Sequence, residues 1–392
     1  MVRNTQINIV AISSGIYPDN KASNIRHLAI LRGLSENGAN VRLFSIYSEV
    51  NDVNTISNYY GVKINHVVKN NKLIGNVIFK SLFIYFSIIK TIKILFELKL
   101  SNELDVAILF TTSNVINFPF LITCKLLSAV TVHERTEYPF LQYNTGLLDK
   151  LKKWLYLYVT IPLFDILIVI STPLYDLFRK YSKKKIIILP IIVEPDRFKQ
   201  SESSVFNHPY IAYCGDISVN KDGVNILIES FARIANEYPN YCLVLIGHSS
   251  NNSDKDTIWN IIKRRGLVSR VILTGMVSFK KVPDYLNHAD ALLLCRPDSI
   301  QAKYGLPTKL AEYLITGKPV IVTSVGDIPT YLTHGLHAYI AKPGDVDSFS
   351  ENIKAILQDK EKAKSVGRNG KVVCLNLFNY KSSTKTLLDH FK

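Results

Sequence analysis

Apolar residues along this chain fall into short strand-length runs separated by longer stretches with helical spacing. The runs Ile7–Ser13, Val41–Ile46, Val62–Val68, Val106–Phe110, Val130–His133, Ile166–Ile170 and Ile186–Leu189 predict strands. Between them, Ala22–Asn37 (closed by Gly38), Gly75–Leu100, Val115–Ser128, Leu147–Leu163 and Pro173–Lys180 predict helices. Such alternation folds as a parallel sheet covered by helices. A polar, proline-marked stretch from Pro190 to His208 interrupts it. The alternation then restarts, with strands expected at Ile211–Cys214, Leu243–Ile246, Val271–Thr274, Ala291–Leu294, Val320–Thr323 and Ala338–Ile340, and a helical tail at Phe378–Lys392. The expectation is two Rossmann-like α/β domains, residues 1–195 and 205–370, followed by a C-terminal segment, residues 371–392.

Composition narrows the class of partner. The 392 residues hold 47 Lys+Arg against 32 Asp+Glu, a formal charge of +15. The excess is spread over both halves, so the field is general, and it favours phosphorylated ligands or an anionic membrane surface. No nucleic-acid partner is expected. The five cysteines, Cys124, Cys214, Cys242, Cys295 and Cys374, are widely spaced, and several lie in strand-like runs. They read as small buried hydrophobes in a reducing compartment. No signal peptide is read at the N-terminus, so a cytoplasmic protein is expected, peripheral on the inner face of the plasma membrane. Leu73–Leu100 is interrupted by lysines and Trp154–Phe164 is short for a span. Each predicts a helix with a basic edge at an anionic interface, or a core helix of the first domain. No phosphate-binding P-loop, zinc spacing or dinucleotide fingerprint occurs, and no metal or cofactor is expected.

The densest chemistry lies between Tyr304 and Val320, where a Gly-Leu-Pro-Thr-Lys loop opens a helix bearing Glu312 and ends at Gly317-Lys318-Pro319-Val320 before a strand. In an open parallel sheet such loop–helix junctions border the ligand crevice. A carboxylate there can accept hydrogen bonds from two neighbouring sugar hydroxyls. This run resembles the donor-binding motif of family 4 glycosyltransferases. So do Cys214-Gly215-Asp216 through Lys221-Asp222-Gly223, Val244–Gly247, Val271–Gly275 and Ala289–Leu294, in that order. The resemblance implies a GT-B fold, two Rossmann-like domains facing across a cleft, with residues 371–392 a helix crossing back to the first domain. It also implies transfer of a sugar from a nucleotide diphosphate donor, UDP-linked for preference, with retention.

The same resemblance places the donor on Lys221, Gly275, Met276, Val277, Arg296, Tyr304, Pro307, Thr308, Lys309 and Glu312. Arg296 at a strand end and Lys309 at a helix start are also positions where cations meet a leaving diphosphate, and the helix opening at Pro307–Lys309 is itself an anion site. Two departures stand out. Tyr304 occupies the place of a second glutamate, and Asp216 that of an arginine. In the first domain, Gly15, Asn24 and Arg26 are candidate contacts for a glycan or polyprenyl-linked acceptor, and His133 and Glu137, in His133-Glu134-Arg135-Thr136-Glu137, are candidate catalytic groups beside Glu312. Two alternatives are a nucleotide-sugar epimerase of the same fold and a non-catalytic protein that binds glycan precursors; Asp216 and Tyr304 argue for the latter.

Overall fold

The computed structural model describes residues 6–17, 21–46, 57–68, 77–111, 113–141, 146–199, 204–249 and 251–392. The chain divides into two compact units, Met1–Pro190 with Tyr380–Lys392, and Ile191–Asn379. The division therefore falls ahead of Pro195, and the returning segment starts at Tyr380 instead of 371.

Unit 1 is built on β1 (Asn8–Ser13), β2 (Asn40–Ser45), β3 (Ser57–Tyr59), β4 (Val62–His66), β5 (Val106–Leu109), β6 (Val130–Arg135), β7 (Ile166–Val169) and β8 (Lys185–Ile188). The sheet order is β3-β4-β2-β1-β5-β6-β7-β8. All neighbours pair in parallel except β3 with β4. Inner strands such as Val106–Leu109 and Ile166–Val169 are buried at every position, as a sheet covered on both faces requires. The β3 hairpin was not anticipated from the apolar pattern. Its turn puts Tyr60 at φ 47° and Gly61 at φ 85°, the left-handed pair of a tight hairpin turn.

The helices of unit 1 are α1 (Ala22–Glu36), α2 (Val77–Leu100), α3 (Asn114–Leu126), α4 (Leu147–Leu155), α5 (Ile161–Leu163) and α6 (Thr172–Arg179). The single helix expected over Leu147–Leu163 is broken by a π-helical turn at Tyr156–Thr160. Pro162 explains it: with no N–H to donate, and a ring that displaces the carbonyl one turn back, it forces the ladder to widen.

Unit 2 carries β9 (Tyr210–Cys214), β10 (Cys242–Ile246), β11 (Val271–Leu273), β12 (Ala291–Leu294), β13 (Val320–Thr323) and β14 (Tyr339–Ala341). Its helices are α7 (Val219–Asp222), α8 (Val224–Ile234), α9 (Asn252–Arg264), α10 (Val282–His288), α11 (Ile300–Tyr304), α12 (Thr308–Thr316), α13 (Ile328–Tyr331), α14 (Val346–Gln358) and α15 (Lys360–Leu377). The all-parallel order is β11-β10-β9-β12-β13-β14. Chain direction across the sheet reverses between β9 and β12, and in unit 1 between β1 and β5. Ligands of open α/β sheets sit beyond the carboxyl ends of the strands at such reversals.

The last helix, α16 (Tyr380–Asp389), belongs to unit 1 and packs on α1. Gly33 makes the approach possible, since a Cβ there would lie 2.2 Å from Thr384 Oγ1. Asn37 Nδ2 donates to the Lys381 carbonyl at 2.9 Å, and the Tyr380 hydroxyl to Glu36 Oε2 at 2.8 Å.

Candidate functional site

Unit 2 gathers its charge at the reversal between β9 and β12. Past β9 the chain turns at Gly215 (φ 150°), where a Cβ would lie 2.1 Å from Lys309 Nζ. Only glycine lets that lysine come so near the backbone. A second glycine, Gly247 after β10, would set a Cβ 2.0 Å from the Gly215 carbonyl. Its N–H donates to the carbonyl of Gly275, after β11, at 3.1 Å. Three glycines thus line the carboxyl ends of three adjacent strands with bare backbone.

Lys309 lies in the first turn of α12, which starts at Thr308 after Pro307. Its Nζ donates to the Tyr213 hydroxyl at 2.8 Å and lies 3.2 Å from Asp222 Oδ2. Burial pulls the Lys309 pKa down, and the Asp222 carboxylate opposes this. Tyr213 is fully buried and its hydroxyl donates to the Asp216 carbonyl at 2.6 Å. Arg296, one residue past Cys295 and the end of β12, is held by Thr323: its N–H donates to Thr323 Oγ1 at 2.9 Å, and its carbonyl accepts from the same hydroxyl at 2.8 Å. Its guanidinium is 3.8 Å from Asp222 Oδ1. One buried carboxylate therefore serves two cations, and the group keeps a net positive charge.

Glu312 is one turn further along α12, half-buried, with Oε1 3.2 Å from Arg197 of the Pro195–Phe198 turn. Arg197 stacks on Phe279 with its guanidinium carbon 3.6 Å from the ring centre. Behind Glu312, the Tyr313 hydroxyl accepts from the Cys214 N–H at 2.6 Å and donates to its carbonyl at 3.2 Å. That pins α12 to the end of β9. Burial, followed by the nearby Glu312 charge, pushes the Cys214 thiol up to about 12, so it stays protonated.

The remaining donor candidates lie round this centre. Lys221 is exposed on α7, and Met276 and Val277 follow Gly275 with Met276 exposed. Tyr304 ends α11, just before the α12 loop. That loop is backed by Gly326 (φ 54°), where a Cβ would meet the Lys303 carbonyl at 2.9 Å.

In unit 1 the acceptor candidates prove to be internal. Gly15 packs so near Asn24 that a Cβ would lie 2.4 Å from its Oδ1, and Asn24 Nδ2 donates to the Ile16 carbonyl at 3.0 Å. Arg26 is 3% exposed. Its Nε donates to Glu134 Oε1 at 2.9 Å and its terminal nitrogens to the carbonyls of Pro190 and Leu189 at 2.5 and 2.7 Å. All three of its nitrogens face protein atoms, so Arg26 ties α1, β6 and the chain after β8 together. Glu134 also lies 3.3 Å from His27 Nε2. His27 Nδ1 bonds the Tyr17 hydroxyl at 2.7 Å, which bonds Ser13 Oγ at 2.8 Å. This buried relay ends at the end of β1.

His133 also departs from its expected catalytic role. It is fully buried and stacked on Phe164 at 4.7 Å, with Nδ1 3.0 Å from the Leu109 carbonyl. Burial, reinforced by the Arg135 charge, pulls its pKa down to about 3. It is a neutral core residue across the physiological range. Glu137 is in the exposed loop after β6. Sequence reasoning missed Arg197, Asp222, Tyr213 and Glu134. Among the described residues no cluster of His, Cys, Asp and Glu has the makings of a metal site.

The glycine-lined strand ends, the cations and Glu312 all lie in the stretch 208–359, which matches the family described as glycosyl transferases group 1. Unit 2 belongs to the group 1 glycosyltransferases. The chain is 26% identical over 188 residues to the mannosylfructose-phosphate synthase of Agrobacterium fabrum, and 21% identical over 222 residues to the 2-deoxystreptamine glucosyltransferase of Streptomyces kanamyceticus. These matches cover 47% and 54% of the chain and 40% and 55% of those proteins, so the chain spans about half the length of the curated relatives it matches. In fold the likeness extends to both units. The Anabaena protein HepE, solved with UDP and glucose, superposes with TM-score 0.71 at 14% identity over 98% of the chain and 99% of its own. The fold is that of GT-B glycosyltransferases.

Proposed function

We propose that this protein transfers a sugar from a nucleotide diphosphate donor, a UDP-sugar, to a glycan or lipid-linked acceptor, with retention of anomeric configuration. The observation that carries this reading is the meeting of Lys309, Arg296 and Glu312 at the unit 2 strand reversal. The two cations suit a diphosphate, whose leaving oxygen gains charge as the glycosidic bond breaks. Glu312 suits a pair of ribose hydroxyls, and the bare backbone of Gly275 with Val277 suits the edge of a flat base. That relatives act on or form glycosides, and that HepE was solved with UDP and glucose, supports the choice of donor.

Glu312 reaches Arg197 at 3.2 Å, so the carboxylate is fixed before a donor arrives. Lys309 and Arg296 share Asp222, and a diphosphate would give each cation a further partner. In same-face transfer the departing phosphate oxygen takes the acceptor proton. This removes the need for a basic side chain, in keeping with a His133 that is buried and neutral. The test is a panel of nucleotide-sugars scored by protection against thermal unfolding, then turnover with the best binder. A UDP-sugar should protect wild type and protect Glu312→Gln markedly less at the same concentration. Protection by no nucleotide, or equal protection of the variant, would overturn the reading.

A further inference from the structure

A helix on the surface of a globular unit normally shows water its polar side. In unit 1 three neighbouring helices do the reverse. On α2, Leu82, Phe86, Ile89 and Phe96 are exposed, while Ile88, Leu95 and Leu98 of the same helix are buried. On α3, Val115, Phe118, Ile122 and Leu126 recur at helical spacing and are exposed, Leu126 at 75%. α4 has no buried residue at all. Its Leu147 and Leu148 are 84% and 72% exposed, and Trp154 stacks on Tyr158 at 5.9 Å. α3 packs against α2 and against the π-helical turn that continues α4, so the helices that bear the stripes are neighbours. An exposed apolar face of this extent marks an interaction surface.

The charge on these helices selects the occupant. From Val77 to Leu100, Asn114 to Leu126 and Leu147 to Leu163, eight lysines stand against two carboxylates. Lys90, Lys93, Lys150, Lys152 and Lys153 are exposed beside the apolar stripes. A second copy on the same face would set lysines against lysines. An anionic lipid leaflet takes the apolar side chains among its acyl chains and the ammonium groups among its headgroup phosphates, and Trp and Tyr favour that boundary. No helix among the described residues is long and apolar enough to cross a membrane. We propose that α2, α3 and α4 form one face by which unit 1 inserts shallowly into an anionic lipid leaflet. This gives the proposed transfer a membrane-borne acceptor, and it rests on unit 1 alone. The attachment has two components: lysine attraction, which salt screens within about 8 Å at physiological ionic strength, and apolar insertion, which salt leaves in place.

The test is flotation of the full chain with phosphatidylcholine vesicles, with and without phosphatidylglycerol, at low and high salt. Anionic vesicles should retain the protein at low salt and keep a substantial part of it at high salt. In a Trp259→Phe chain, where Trp154 is the remaining tryptophan, emission should shift to the blue with these vesicles. Leu151→Glu with Trp154→Glu should lower the high-salt affinity by about tenfold or more, since each residue is 52% exposed and loses its remaining contact with water only on insertion. Lys150→Gln with Lys152→Gln should lower the low-salt affinity and spare the high-salt fraction. Binding to neither vesicle, full release by salt, or an unshifted Trp154 would each overturn the proposal. So would concentration-dependent dimers that float with no vesicle. Nucleotide protection of unit 2 is read separately: its loss would refute the donor assignment and leave the membrane face standing.

Discussion

Glu134→Gln isolates the buried charge on which the frame of unit 1 turns. The carboxylate lies 2.9 Å from Arg26 and 3.3 Å from His27, with its side chain 2% exposed. Burial alone would raise its pKa, yet Arg26 and then His27 carry it down from the ordinary 4.5 to about 2. That fall corresponds to about 3 kcal/mol of favourable interaction in the charged form. Removing one partner of a buried pair costs about 3–5 kcal/mol by mutational precedent, so the two routes agree. Glutamine keeps the shape and a weaker acceptor for Arg26, which favours the lower end. The sign with pH follows from linkage. A depressed folded pKa gives stability that is full above the unfolded value of about 4.3 and fades as pH falls through about 2. Wild type should thus exceed the variant by about 3 kcal/mol at neutral pH, and the gap should shrink steadily below about pH 4. Urea titration followed by Trp154 fluorescence, in a Trp259→Phe background, reports unit 1. A difference under about 1 kcal/mol at neutral pH, the range of an exposed ion pair, or one independent of pH, would refute the reasoning.

Glu312→Gln should weaken donor binding by about tenfold or more, through loss of a charge-assisted acceptor; unchanged nucleotide protection in a folded variant would sink the assignment. Gly215→Ala should weaken donor binding with little effect on unit 1, since its Cβ would lie 2.1 Å from Lys309 Nζ and push that ammonium off its seat; calorimetric titration with UDP checks it, and retained affinity would show that the Lys309 position is immaterial. His133 is held neutral by burial with its pKa near 3, so its contribution is intact above about pH 6.5 and is lost on acidification. His133→Gln should flatten the fall of unit 1 stability between neutral and mildly acid pH while leaving the pH profile of kcat/KM unchanged. Loss of an acidic limb from that profile would restore a catalytic role for His133.

What could be read from the chain and what could not divide along sequence distance. Val106–Leu109 and Ile166–Val169 are continuous apolar runs, and every residue of each is buried, so the parallel sheets were legible. The Ser57–Tyr59 strand escaped because its evidence lies in the positive-φ turn at Tyr60-Gly61 and not in any apolar run. In the candidate site, Glu312, Lys309 and Arg296 stand out in the sequence because each lies near a strand or helix end, where topology puts ligands. Their partners were missed: Arg197 is 115 residues from Glu312, and nothing local marks Asp222 as the carboxylate between two cations. Arg26 and His133 were misread for the same reason in reverse. An arginine after a Gly-bearing loop and a histidine at a strand end look ligand-facing, until Glu134, 108 residues from Arg26, and the stacked Phe164 are seen to complete them. Within β6 the period of two even separates the neighbours: His133 turns to the aromatic layer of Tyr156 and Phe164, and Glu134 to the opposite face and Arg26. A charged residue declares its role only through the partner that desolvates with it. The Glu312–Arg197 pair keeps 20% and 14% of its side chains open to water, enough for a ligand of the proposed donor class to change the pairing, whereas the Glu134–Arg26 pair is 2% exposed on both sides and closed.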